Sequence, residues 1–456
     1  MAKLSQLRFE MPYQVDAPVL TDEASGIDRV RLCSRDQETV IRLLDTADER
    51  LLCAGVLLLP HQQGEQAEWI VRPGEWREWI ETATWQDQSG DEVPDSLGPI
   101  LAPFRRSAPL VTIASVTTER ARYELLDIDG AGLGCVLDDR VTVRRAGLAV
   151  SRRRQVTVEP TDEMTSLQQA VVSDRLMDTG GRCAQTFGDP IDQLTEVLGI
   201  CDIGEPGKTE ELTTERFVGC RLTRCLRSVL RADLTRRSGL SDTGDALIAE
   251  LRELQRVIDG MRSLLEPVWA DELRWKAGRA IGRLAEGEND PHFEVLDMLS
   301  SGARAPRVQE SGPVTAILTT EASVRFSDLL ARLDALDITD DATWSDARAA
   351  VDAVGSVLEL AEGRIGRTTS VERRLTKLGE ILQPTLGEIP CPQPGQIAAL
   401  DPLAAYELGR SYQAQLDSVS APRERLLGEL PRLRRKLKEQ WIAPLESVVA
   451  LESCDE

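Results

Sequence analysis

The stretch Gln155-Val156-Thr157-Val158-Glu159-Pro160, followed by a change of rhythm after Met164, decides the fold. Up to Pro160 apolar and polar residues alternate with period two, as in strands with one buried face. Beyond Met164 the apolar residues recur every three or four positions, as along helices. Reading backwards, Gly134-Cys135-Val136-Leu137 leads through Asp138-Asp139 to Val141-Thr142-Val143. Before it, Arg122-Tyr123-Glu124-Leu125-Leu126 runs into the turn Asp127-Ile128-Asp129-Gly130, and Val111-Thr112-Ile113-Ala114-Ser115-Val116-Thr117 alternates cleanly. Strands at this spacing, joined by hairpin turns, indicate an antiparallel barrel or sandwich.

Reading forwards, Leu226, Val229, Leu230 and Leu234 form one helical stripe, and Leu247, Leu251, Leu254, Ile258 and Met261 a second. Further helical patterns cover 323–336, 343–362, 370–383, 402–417 and 424–441, while 300–314 reads as a loop. Gly204-Glu205-Pro206-Gly207 and Pro390-Cys391-Pro392-Gln393-Pro394-Gly395 act as breakers. The expectation is an α+β multidomain chain. An antiparallel β-tunnel or barrel spans 1–190, a linker or first helix spans 191–212, and an all-α helical-bundle unit spans 213–456.

At 456 residues, 41% hydrophobic and 29% charged, the chain has the composition of an ordinary globular protein with room for two cores. It holds no long apolar run and no basic-then-apolar leader, so a cytoplasmic location without membrane contact is expected. Nine cysteines at irregular spacings give no disulfide framework. Only two histidines, His61 and His292, are present, and His292-Phe293-Glu294 lacks the P-C-x-x-C partner of a zinc deaminase, so zinc and Ser-His-Asp chemistry are disfavoured. The net charge of −22 is spread over both halves, which speaks against a general nucleic-acid binder. Most cations are arginine, suited to bidentate contact with carboxylate or phosphate, although a GC-rich genome produces the same bias.

Several segments resemble the CYTH–CHAD proteins of bacteria, which couple a triphosphate tunnel metalloenzyme-like domain to a helical CHAD domain. Leu4-Ser5-Gln6-Leu7-Arg8-Phe9 is similar to the end of the E-x-E-x-K-[FY] strand that opens CYTH domains. Leu44-Asp45-Thr46-Ala47-Asp48, Arg50-Leu51-Leu52, Trp69-Ile70-Val71-Arg72-Pro73 and the hairpin around Asp127–Gly130 follow in the family's order. In the second half Leu226-Arg227-Ser228-Val229-Leu230-Arg231, Glu272-Leu273-Arg274-Trp275-Lys276, Leu386-Gly387-Glu388 and Pro431-Arg432-Leu433-Arg434-Arg435-Lys436 resemble CHAD helices.

The resemblance implies a tunnel whose carboxylates hold Mg²⁺ or Mn²⁺ and whose cations hold triphosphate, and a helical groove that binds inorganic polyphosphate. The motif positions are degenerate here. Leu4 and Gln6 replace the opening glutamates, Leu57-Leu58-Leu59-Pro60 replaces a basic cluster, Ser115, Thr117 and Glu119 replace a cationic strand, and Gln155 and Thr157 replace a late E-x-E pair. One remaining carboxylate makes a poor metal site. Asp138-Asp139 reads as a solvated turn, with Asp138 and Glu159 as residual metal candidates. Arg8, Arg72, Arg120 and Arg122 survive. In the helical half Arg224, Arg227 and Arg231 share one helix face, and Arg432, Arg435 and Lys436 another. The signature histidine is Phe217, a K-R-x-R-Y segment is Asp352-Ala353-Val354-Gly355-Ser356, and a late histidine and aspartate are Ile389 and Cys391.

The function expected from this pattern is non-catalytic association with polyphosphate or other phosphate-rich ligands through the surviving cations, with localisation to polyphosphate granules as a corollary. The alternatives are a protein-binding scaffold and, further off, a metal-dependent triphosphate hydrolase or cyclase. No cofactor is expected unless the CYTH-like unit is active, when Mg²⁺ or Mn²⁺ would enter.

Overall fold

The computed structural model describes residues 5–35, 39–63, 66–80, 84–87, 93–199, 212–239, 244–361, 364–365, 369–386, 397 and 400–452. Leu4, the breakers at 204–207 and 390–395, and the positions Gly387, Glu388, Ile389 and Cys391 lie outside them. The chain divides into two compact units. The first comprises Met1–Asp202 with Asp233–Asp242, and the second Ile203–Ala232 with Thr243–Glu456.

The first unit is built on antiparallel strands β1 (Leu7–Met11), β2 (Arg29–Arg35), β3 (Thr39–Thr46), β4 (Leu57–Gln63), β5 (Gln66–Arg72), β6 (Thr84–Asp87), β7 (Leu110–Leu126), β8 (Gly132–Arg145), β9 (Leu148–Pro160) and β10 (Arg182–Cys183). Their order is β10-β1-β9-β8-β7-β3-β4-β5-β6, and β2 pairs with the far end of β7. The path ends at β10 and β6, with no pairing between the two among the described residues. Helices α1 (Arg50–Cys53), α2 (Gly98–Arg105), α3 (Ser166–Asp178) and α4 (Pro190–Leu198) complete the unit.

The segments around 111–117 and 122–126 merge into one 17-residue strand, β7. The turn after it forms as expected. Asp127 Oδ1 accepts the Ala131 N–H at 2.7 Å, and Gly130 takes φ +83°, a value that favours glycine. Asp138-Asp139, expected as a solvated turn, lies inside β8. The alternating apolar residues extend the strand straight through the pair, so the two carboxylates point to opposite faces.

Each face of the sheet carries a core. On one, Phe9, Met11, Leu125, Val136, Val156 and Val158 pack under Val172 and Leu176 of α3. That helix starts in a reciprocal cap between Thr165 and Gln168. On the other face Leu43, Leu59, Val116, Val141 and Val143 pack under Ile191, Leu194 and Leu198 of α4, which Asp189 caps and Gly199 ends. Residues 190–198 therefore belong to the first unit.

The second unit contains α5 (Thr214–Arg237, through Ala232), α6 (Asp245–Gly260), α7 (Pro267–Ala285), α8 (Phe293–Arg304), α9 (Val314–Asp334), α10 (Asp341–Ala361), α11 (Thr369–Leu382) and α12 (Pro402–Glu452). The stripe Leu247, Leu251, Leu254 and Ile258 is buried on α6, as its spacing requires. Two expectations change. The patterns at 402–417 and 424–441 are one continuous helix, and the region expected as a loop from 300 is helical through Arg304. No helix of the described residues is long and apolar enough to cross a membrane.

Candidate functional site

In the first unit, register decides which candidates can meet. Arg8 of β1 stands opposite Thr157 of β9, Gln155 opposite Asp139 of β8, and Asp139 opposite Arg120 of β7. Arg8, Arg120, Arg122, Gln155, Thr157 and Glu159 therefore share one face, the face that α4 partly covers. Ser115, Thr117 and Glu119 do not join them. They alternate out of phase with Arg120 and Arg122, which corrects the expectation that they belong to the same site.

On the shared face the cations are engaged internally. Gln6 Nε2 donates to Glu159 Oε1 at 3.0 Å, and Gln6 Oε1 accepts from Arg8, whose other amino group donates to the Gln185 carbonyl at 2.9 Å. Arg120 forks onto Asp139 with two 2.7 Å bonds. Arg72 bridges Asp189 at 2.6 Å and Asp192 at 2.8 Å, so the acidic first turn of α4 is fastened by the arginine expected to hold phosphate. Arg122 Nε contacts Cys135 Sγ at 3.1 Å, and burial pushes that thiol up.

The residual metal candidates do not converge. Asp138 points to the opposite face, where Arg154 chelates it at 2.8 and 2.7 Å, while Glu159 already receives the Gln6 amide. A divalent cation needs several oxygen ligands at one point. These residues do not fit Mg²⁺ or Mn²⁺, and among the described residues no group of three His, Cys, Asp or Glu gathers with metal-binding geometry.

In the second unit Arg224 of α5 lines a cavity of about 210 Å³ with Arg221, Glu250, Glu253, Arg256 and Glu359. Arg256 bridges Glu253 and Glu359, the latter at 2.6 Å. Arg221 donates to the Leu360 carbonyl and lies 5.3 Å over the Phe217 ring, at the position where the resemblance expects histidine. Burial beside Glu253 pushes the Cys225 thiol up to about 12. A larger groove of about 1150 Å³ adds Arg252, Asp259, Arg274, Arg325, Arg348 and Asp352. Arg274 pairs with Asp259 at 2.9 Å and Arg348 with Asp352 at 3.1 Å.

Asp352, Ala353, Gly355 and Ser356 do line this groove, so the place where the resemblance expects K-R-x-R-Y faces it with an acid. Arg227 and Arg231 line neither cavity, and nor do Arg432, Arg435 and Lys436. Arg432 and Arg435 are exposed, Arg435 lying 3.7 Å from Glu439. Arg221 and Arg256 were missed by sequence reasoning. The first was signalled by its three-residue spacing from Arg224; the second sits on a helix with no motif to single it out.

No protein-family model matches the chain, and no curated protein matches it. His292 is buried and meets Phe293 edge-on at 5.1 Å.

Proposed function

We propose that this chain is a non-catalytic, CYTH–CHAD-like binding protein whose tunnel-type face has become a structural element. The observation that carries the reading is the pairing of Arg72 with Asp189 and Asp192. An arginine that would hold a triphosphate instead fastens α4 to the sheet, in an arrangement that needs no ligand. The Gln6 bridge between Arg8 and Glu159 supports the same conclusion, since an amide neutralises neither a metal nor a phosphate. The interaction surface is the helical groove. Its arginines alternate with carboxylates, which complements a mixed-charge segment of a partner protein better than a uniform polyanion.

Polyphosphate is the second reading, favoured by the exposure of Arg224 and Arg231 on one face of α5. Titrating the full chain with long-chain polyphosphate at low and raised salt separates the two. Salt-sensitive binding lost in Arg224→Ala with Arg227→Ala selects polyphosphate; no binding at low salt removes it.

A further inference from the structure

The face of the sheet opposite the tunnel-type residues carries arginines that no motif singled out. Arg42 of β3 stands in register with Ser115 of β7, and Ser115 with Arg144 of β8. One step along, Thr117 stands opposite Thr142, and Thr142 opposite Arg152 of β9; a further step brings Glu119 opposite Arg140. Side-chain contacts show that these residues share a face. Arg144 Nη1 donates to Thr117 Oγ1 at 2.9 Å, the Tyr13 hydroxyl lies 3.3 Å from Thr142 Oγ1, and the guanidinium groups of Arg140 and Arg152 lie 5.9 and 5.7 Å from the Tyr13 ring centroid.

Elsewhere on the sheet Arg31, Arg72, Arg120, Arg145 and Arg153 each meet a carboxylate, as does Arg154, which stands opposite Arg140 on the same face. Arg42, Arg140, Arg144 and Arg152 pair with none among the described residues. In a chain of net charge −22 four such arginines on one face form a local concentration of positive charge. Four guanidinium groups rooted within about 14 Å along β8 and about 14 Å across the four strands β3, β7, β8 and β9 repel one another, a penalty that a bound anion would relieve. Thr117 and Thr142, both buried, supply a hydroxyl floor between them. The acids facing the patch are Glu119, exposed beside Arg140, and Asp16; Asp138 is held by Arg154.

We infer that this face binds a compact, multiply charged phosphate anion, with Arg42, Arg140, Arg144 and Arg152 as its ligands. Guanidinium forks match phosphate oxygens in geometry, and threonine hydroxyls donate to them. The inference is independent of the helical groove.

The test is calorimetric titration of the full chain with inorganic pyrophosphate at low and raised salt, and with ATP in parallel. Saturable binding is expected, weaker at raised salt. Removing two charge-assisted contacts in Arg140→Ser with Arg152→Ser should weaken it about 100-fold. Arg152→Lys should lose less, and Glu119→Gln should tighten binding. If the double variant melts early by circular dichroism, Arg42→Ser reads the same site, with a loss of about tenfold expected. ATP binding no tighter than pyrophosphate identifies free oligophosphate as the ligand, whereas tighter ATP binding identifies a nucleotide. No saturable binding at low salt overturns the inference, as does binding that survives Arg140→Ser with Arg152→Ser.

Discussion

Asp138→Ala should be among the most damaging single changes in the first unit. The Arg154 side chain is wholly buried, and Asp138 is 7% exposed. Two parallel bonds of 2.8 and 2.7 Å join them, and the remaining Arg154 amino group donates to the Val15 carbonyl. The hydrogen-bonded carboxylate raises the arginine above its ordinary value, and without that partner the intrinsic basicity of the guanidinium still keeps it charged. An unpaired buried guanidinium costs about 3–5 kcal/mol, which for a unit of this size lowers Tm by roughly 6–20 °C. Asp138→Asn keeps one acceptor and should fall between Asp138→Ala and wild type. Replacing both partners, Asp138→Leu with Arg154→Met, should recover most of the loss, because the isolated charge rather than the absent pair is what destabilises. Scanning calorimetry measures all three. A shift below about 2 °C for Asp138→Ala, or a double variant as unstable as the single, would refute the reasoning.

Leu194→Ala, which empties the buried centre of α4's contact with the sheet, should destabilise the first unit by about 2–5 kcal/mol in urea unfolding; a loss under about 1 kcal/mol would show that α4 is not held there. Asp45 is buried and accepts the Thr46, Leu51 and Leu52 N–H groups at 2.6, 2.9 and 2.8 Å, yet burial holds its carboxyl above the usual range. A raised folded value means that its contribution is fully present below the unfolded value near 4 and is lost as pH rises through the folded one. Melting curves from about pH 4 upward should therefore move in favour of Asp45→Asn, and the opposite slope counts against this assignment. With its thiol pushed up to about 12, half-buried Cys225 should resist a thiol-disulfide reagent at neutral pH while exposed Cys33 and Cys183 react; peptide mapping that finds Cys225 labelled first would contradict this assignment.

How much of this was legible depended on range. The period change after Met164, the turn at Asp127–Gly130 and the stripe of α6 are local signals, and the chain obeys them. The merging of 111–126 into one strand was hidden because its charged middle, Glu119 to Arg122, looks like a break when the partners are unknown. The face carried by each residue depends on register between strands far apart in sequence. That is why Ser115 and Thr117 were grouped with Gln155, and why Arg42, Arg140, Arg144 and Arg152 went unnoticed despite the visible runs Arg144-Arg145 and Arg152-Arg153-Arg154. The acids that engage Arg72 lie more than a hundred residues away, so the sequence displayed a surviving cation where the fold holds a closed ion pair.

The central claim, that the tunnel-type face has no catalytic role, is tested most directly by phosphate release from inorganic tripolyphosphate with Mg²⁺ or Mn²⁺ present. The account predicts a rate equal to the protein-free control, unchanged in Arg72→Ala and Arg8→Ala. Metal-dependent release above that control, abolished by either substitution, would contradict it.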